Sequence, residues 1–166
     1  GEIMLYDLHQ DVRRTIVPFE DISYHIKNAT VAIEDDQFYH HIGISPRGIL
    51  RAALSNLTDG DLLGGQGGST ITQQVIKNSI LDQDKKLTRK VKEAILALKI
   101  ERILSKDEIL SYYLNESPYG GTIYGVEEAS QGFFGKSAKD ITLPEAAYLA
   151  ALPQAPTYLS PYGPNK

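Results

Sequence analysis

Apolar residues recur along this chain mostly at spacings of three and four, the period of a helix with one buried face. From Asp21 onward, Ile22, Ile26, Ala29 and Ile33 share such a face, and the pattern predicts a helix from 21 to between 34 and 38. Ser45-Pro46 predicts the start of another, with Pro46 in its first turn and a stripe at Ile49, Leu50, Ala53, Leu54 and Leu57. Residues 58–68 hold five glycines in eleven positions, which breaks any regular element. A helix is predicted over 71–81, opened by Thr70 and Gln73 at capping-box spacing. The longest is predicted over 86–104, with good helix formers throughout and an apolar set at Leu87, Val91, Ala94, Ile95, Leu98 and Ile103. Ser105, with Glu108 at the box position, caps the next helix, which runs to 114. After a break at Gly120-Gly121, two more helices are predicted over 124–134 and 143–152. Residues 12–17 (VRRTIV) are the one candidate strand. From Pro153 the chain carries Pro153, Pro156, Pro161 and Pro164, and an extended, poorly ordered tail is expected. The fold class read from this pattern is mainly α, with any strand near the N-terminus.

Composition narrows the chemistry. At 166 residues the chain is about one domain. Hydrophobic residues are 42% and charged residues 23%, a globular balance with enough apolar side chains for a core. Seventeen Lys and Arg against 21 Asp and Glu give a net charge of −4, which argues against nucleic acid as the main partner. With no cysteine, disulfides, thiolate metal sites and Cys nucleophiles are excluded. No run approaches the ~18 apolar residues of a membrane span. The chain opens on Gly1 without a signal-peptide pattern and reads as an excised or processed piece.

Four segments carry candidate chemistry. In EDDQFYHHIG (34–43), three consecutive carboxylates repel one another and fall where a helix ends, the pole of its dipole that disfavours acids. A carboxylate crowded by others beside Phe38 and Tyr39 has its pKa raised, which suits a general base. A solvated acidic turn and a metal site on Asp36, His40 and His41 are the competing readings. In GGQGGSTITQQVIKN (64–78), a glycine-rich loop feeds a helix N-terminus whose unpaired N–H groups suit an anion. Gln73, Gln74, Lys77 and Asn78 give that helix a polar surface, although a flexible loop and an ordinary capped helix account for the pattern equally. In KKLTRKVKEAI (85–95), five cations fall within eight residues, and Arg89, Lys90 and Glu93 meet on one side of a helix. Such a cluster is suited to a diphosphate, Arg as a fork and Lys as a point charge; a solvated face with one weak ion pair is the alternative. In KDEILSYYLNE (106–116), Ile109, Leu110, Tyr113 and Leu114 are core-like, Tyr112 and Tyr113 read as packing residues, and Asn115 and Glu116 would cap or contact a ligand.

Taken together, the order and spacing of these segments resemble the transglycosylase domain of class A penicillin-binding proteins and of monofunctional peptidoglycan glycosyltransferases, glycosyltransferase family 51. The first family motif, Glu-Asp-x-x-Phe-x-x-His-x-Gly, matches Glu34, Asp35, Phe38, His41 and Gly43. The second matches Gly67, Ser69, Thr70, Thr72, Gln73 and Gln74, and the third matches Arg89, Lys90 and Glu93. The fourth matches Lys106, Ile109, Leu110, Tyr113, Leu114 and Asn115. The likeness runs from about residue 16 to the C-terminus. The family's fifth motif, its N-terminal membrane helix and any transpeptidase domain have no counterpart here, which reads as a single, truncated glycosyltransferase domain over 1–166 with a proline-rich tail at 153–166.

The resemblance implies a mainly α fold with a lysozyme-like large lobe and a smaller membrane-facing lobe. It implies polymerisation of lipid II into β-1,4-linked glycan with inversion and release of undecaprenyl diphosphate, at the outer face of a bacterial membrane. By position Glu34 is the catalytic base and Asp35 raises its pKa or positions it. Arg89 and Lys90, with Lys77, neutralise the diphosphate. Glu93 orients them or shares in holding Mg2+ or Mn2+. Ser69, Thr70, Gln73, Gln74, Phe38, His41 and Asn115 complete the substrate-binding set. Lipid II, the growing glycan strand and the membrane surface are the implied partners, and moenomycin, a mimic of the donor, is the implied inhibitor. A lysozyme-like hydrolase and a non-enzymatic module for anionic lipid or glycan remain as alternatives at this stage.

Overall fold

The computed structural model describes residues 14–45, 69–80 and 86–154. Among them are six α-helices and one two-stranded hairpin. The helix predicted from Pro46, the glycine-rich break at 58–68, Leu81, the start of the 12–17 strand and the tail beyond 154 lie outside the described residues. Helix α1 (Tyr24–Glu34) is preceded by a single 3-10 turn, Phe19–Asp21, and starts when the Ser23 hydroxyl accepts the His25 N–H. The predicted stripe holds at Ile22 and Ile26, which are buried, and frays at Ile33, which is largely exposed. Helix α2 (Ile71–Ile80) opens on the predicted capping box: the Thr70 hydroxyl accepts the Gln73 N–H at 3.1 Å, and the Gln73 carboxamide accepts the Thr70 N–H at 3.0 Å. Helix α3 (Lys86–Ile100) stops four residues short of its prediction, because the backbone tightens at 101–104 to bring Ser105 to the cap of α4 (Lys106–Glu116). The Ser105–Glu108 capping box is formed as predicted.

Two expectations are overturned. Residues 14–17 form no strand; side chains hold them instead, the Asn115 carboxamide accepting the Val17 N–H at 3.0 Å and donating to the Val17 carbonyl at 3.1 Å. The strands of the described residues lie where only a break was expected, β1 (Pro118–Gly120) pairing antiparallel with β2 (Ile123–Tyr124). Gly120 and Gly121 both have positive φ, 112° and 57°, which allows the chain to reverse within a few residues. Helices α5 (Val126–Phe134) and α6 (Leu143–Ala151) follow. The latter is opened by a Thr142–Glu145 capping box that the spacing T-L-P-E already encodes.

One core joins these elements. Helix α1 packs on α6, and α2 lies against both α3 and α4. Ile26, Phe38, Ile71, Leu110, Leu114 and Leu149 are fully buried within it. Of the apolar set predicted for α3, Val91 and Ile95 are half exposed and Ile103, just beyond the helix, is 79% exposed, whereas Glu93 and Ala97 are 0% exposed. The reason is a close approach of backbones. Gly43 has φ 91°, and a Cβ there would stand 2.9 Å from both the Ala97 carbonyl oxygen and the Glu101 Cγ. A narrow face carrying Ala97 therefore meets the loop, and the bulkier aliphatics turn outward. Gly43→Ala is expected to lower stability by about 1–3 kcal/mol from backbone strain alone, read as a lower denaturant midpoint; an unchanged midpoint would show that the loop yields without cost.

Candidate active site

The first motif divides into one outward-facing acid and a frame that holds it. Glu34 is the last residue of α1, and Asp35 is its cap. The Asp35 carboxylate accepts the Ile71 N–H at 3.1 Å, and so caps the positive end of α2. The same oxygen pairs with His41 Nε2 at 2.8 Å. His41 Nδ1 accepts the Gly43 N–H at 3.0 Å, which puts the ring proton on Nε2, facing Asp35. Gly43 in turn accepts the Thr70 hydroxyl at 2.7 Å. Phe38 is fully buried, edge-on to His41, with the Lys106 ammonium 4.6 Å over its ring. Asp35, Phe38, His41, Gly43 and Thr70 thus lock the end of α1 to the start of α2. Tyr39, His40 and Asp36 stay exposed, and the alternative metal reading of that turn finds no convergence, since among the described residues no three His, Asp or Glu side chains gather.

Glu34 itself is half-buried, and its pKa is raised, chiefly by burial. The Gln74 hydrogen bond and the neighbouring Tyr113 hydroxyl oppose the rise, and the Asp35 charge adds the smallest contribution to it. Repulsion from Asp35, one of the two roles expected of it, is therefore a minor cause, and its carboxylate holds the start of α2 and His41. The Gln74 amide donates to Glu34 Oε2 at 2.8 Å, whereas Oε1 is buried and makes no hydrogen bond.

The cationic cluster forms as the spacing predicted. Lys90 Nζ lies 2.7 Å from Glu93 Oε2 and donates to the Ser69 hydroxyl at 2.9 Å. Arg89 Nε lies 3.4 Å from Glu93 Oε1, an ion pair without hydrogen-bond geometry. Glu93 is 1% exposed at its side chain, while Arg89 and Lys90 are 31% and 34% exposed. A buried carboxylate thus anchors two cations whose heads reach solvent. With both cations on it and, among the described residues, no cluster of acids or histidines able to hold a metal, Glu93 does not suit Mg2+ or Mn2+, whose sites use several oxygen ligands.

Helix α2 joins the two centres. Ser69, just before its cap, meets Lys90, and Gln74 meets Glu34 five residues later, roughly 8 Å along a helix axis. Gln73, Gln74 and Lys77 lie on the wetter side of α2, opposite the buried Ile71, Thr72, Val75 and Ile76. Lys77 is exposed one turn beyond Gln74. Asn115 stands apart from this arrangement: its carboxamide is occupied by Val17 and by the Ser111 carbonyl, so it braces residues 14–17 on α4. Two features escaped the sequence. The Thr72 hydroxyl donates to Glu101 at 2.5 Å and Lys106 to the same carboxylate at 2.7 Å, tying α2, α3 and α4 together. Tyr112, read as a packing residue, is 53% exposed, and Tyr113 is buried with its hydroxyl beside Glu34.

A half-buried acid and an anchored pair of cations are thus tied to one helix, the acid through Gln74 and the cations through Ser69 just before its cap. The chain belongs to the transglycosylase family, which it matches over residues 2–166, and it is a glycosyltransferase by class. It is 49% identical over 150 residues to penicillin-binding protein 1A of Aquifex aeolicus, covering 90% of this chain and 20% of that protein. It is 50% identical over 148 residues to penicillin-binding protein 1A of Clostridium perfringens (87% and 22%) and 46% identical over 149 residues to that of Vibrio cholerae (90% and 18%). The chain spans about a fifth of the length of these relatives.

Proposed function

We propose that this chain is a peptidoglycan glycosyltransferase domain that polymerises lipid II into β-1,4-linked glycan at the outer face of a bacterial membrane. The observation that carries the reading is the half-buried Glu34, its ionised form disfavoured by burial, held by Gln74 on the helix whose start is tied to Lys90. The acceptor, a sugar 4-hydroxyl, ionises far above neutrality, so a base must take its proton as attack proceeds. In the transfer that proton passes to Glu34, the acceptor oxygen bonds to the donor's anomeric carbon, and the bond from that carbon to the diphosphate breaks. Its electron pair leaves on the diphosphate, and attack from the opposite face inverts the centre. Lys90 and Arg89, with Lys77, meet the charge that develops on the leaving diphosphate. Glu93 keeps the first two in place.

The lipid on the donor places the site at a membrane surface, with a smaller lobe facing it and the lysozyme-like lobe above. Among the described residues no helix is long and apolar enough to cross a membrane. Moenomycin, a lipid-linked phosphoglycolipid in the place of the donor, is the expected competitor. A hydrolase of the inverting kind needs a second carboxylate free to activate water; Glu93, buried and doubly paired, does not supply one. The test is purified protein with lipid II in detergent, read as glycan polymer on a gel. Polymer that disappears with moenomycin is expected; folded protein that binds the lipid yet forms no polymer would overturn the reading in favour of a binding module.

A further inference from the structure

Three polar atoms from two parts of the chain are buried without a hydrogen bond: Glu34 Oε1, the Tyr113 hydroxyl and the Ser117 hydroxyl, and the Tyr113 hydroxyl neighbours both Glu34 and Ser117. Tyr113 and Ser117 are one turn apart at the end of α4, where the Ser117 N–H bonds the Tyr113 carbonyl at 3.0 Å. Both are 1% exposed. Buried polar groups are nearly always paired, and a group left unpaired in a core is a sign of a role beyond packing. We propose that Tyr113 is a positioning residue for the proton acceptor: its hydroxyl, backed by Ser117, donates to Glu34 Oε1, so that Oε2, on the Gln74 side, is the oxygen that receives the acceptor's proton. This rests on the reading of Glu34 as the base.

The chemistry of the surroundings agrees. Among the described residues, the titratable groups around Glu34 are Asp35 on the same turn, Tyr113 from α4 and Tyr119 from β1; α2 presents the uncharged Gln74 and, one turn on, Lys77. Burial and the Glu34 charge push the Tyr113 phenol far up, and the same two causes raise Tyr119, so both remain protonated donors wherever Glu34 is ionised. A phenol that donates to the carboxylate favours its charged form and opposes the rise caused by burial. With Oε1 walled in, a carboxylate clamped from both sides has one orientation left for the reaction.

The test is direct titration of Glu34 by 13C NMR of carboxyl-labelled glutamate, assigned with Glu34→Gln, in the wild-type protein, Tyr113→Phe and Ser117→Ala. Tyr113→Phe is expected to raise the Glu34 midpoint by at least ~0.5 pH unit, about threefold in the ionisation constant. Ser117→Ala, which keeps every ring in place, is expected to move it the same way by a smaller step. The acid limb of kcat/KM for polymerisation should move with the midpoint, with kcat falling and KM nearly unchanged. An unmoved midpoint in the folded variants overturns the proposal. A midpoint that moves while the acid limb stays put leaves the hydrogen bond from Tyr113 to Glu34 standing but removes Glu34 as the base, and with it the positioning role.

Discussion

Glu34→Gln is expected to lower polymerisation of lipid II by at least ~10²-fold, the usual worth of a positioned general base, with the fold and donor binding intact. The carboxamide keeps the shape of the side chain, and its oxygen accepts the Gln74 hydrogen bond as Oε2 does. What is lost is the capacity to take a proton. The sign of the stability change follows from burial. Because the folded-state pKa of Glu34 lies above its unfolded value, the native state holds that proton more tightly. That contribution to stability is fully present below the unfolded pKa of about 4.5 and is lost as pH rises through the folded value. At neutral pH the wild-type protein therefore carries a buried charge that the Gln variant lacks, and the variant should be at least as stable. Activity runs the other way: it should rise with pH through the raised pKa, as the base ionises. Stability and polymerisation measured across pH for both proteins check this. Polymerisation by Glu34→Gln within tenfold of wild type would remove Glu34 from the chemistry.

Lys90→Met is expected to cost more in two independent readouts. It deletes the ammonium that bridges Ser69 and Glu93 and leaves a fully buried carboxylate with Arg89, at 3.4 Å, as its remaining cation among the described residues. Breaking a buried ion pair from one side costs about 3–5 kcal/mol when nothing else compensates. Here Arg89 remains and solvent reaches the rim of the cluster, so a loss of roughly 1–3 kcal/mol is expected. Polymerisation should fall by about 10²–10³, the worth of one donor aimed at developing charge. Lys90→Arg keeps the charge but replaces the compact ammonium that bridges Ser69 and Glu93 with a planar fork, and should restore stability more fully than activity. Should Lys90→Met lose stability yet polymerise normally, the cluster would be a structural ion pair, and the diphosphate would need other cations.

Much of the framework was legible because it is local. The boxes at Thr70–Gln73 and Ser105–Glu108 were readable from four residues each, since a hydroxyl and an acid or amide three apart can satisfy only each other's backbone. The Arg89–Lys90–Glu93 cluster was readable for the same reason: positions three and four apart on a helix are neighbours. Helix α3 shows the limit. Its apolar period was clear, yet Val91 and Ile95 face outward and Glu93 inward, because periodicity tells which residues share a face and not which face meets a partner. The hairpin at 118–124 was missed because two glycines mark a break equally well whether the chain wanders or reverses.

What the sequence alone determined is therefore the helical class, most of the caps and the cationic cluster, written in spacings shorter than two helical turns, and the family, written in the order of four short motifs along the chain. Only the tertiary structure decided that Asp35 and His41 are braces, that Asn115 holds residues 14–17, and that Glu34 and Lys90 are both tied to α2 and the residue before its cap. Those assignments depend on pairs such as Asp35 with Ile71 and Glu34 with Gln74, 36 and 40 residues apart. A carboxylate is chemically the same whether it caps a helix or takes a proton; the difference lies in what surrounds it, and packing between distant segments sets that.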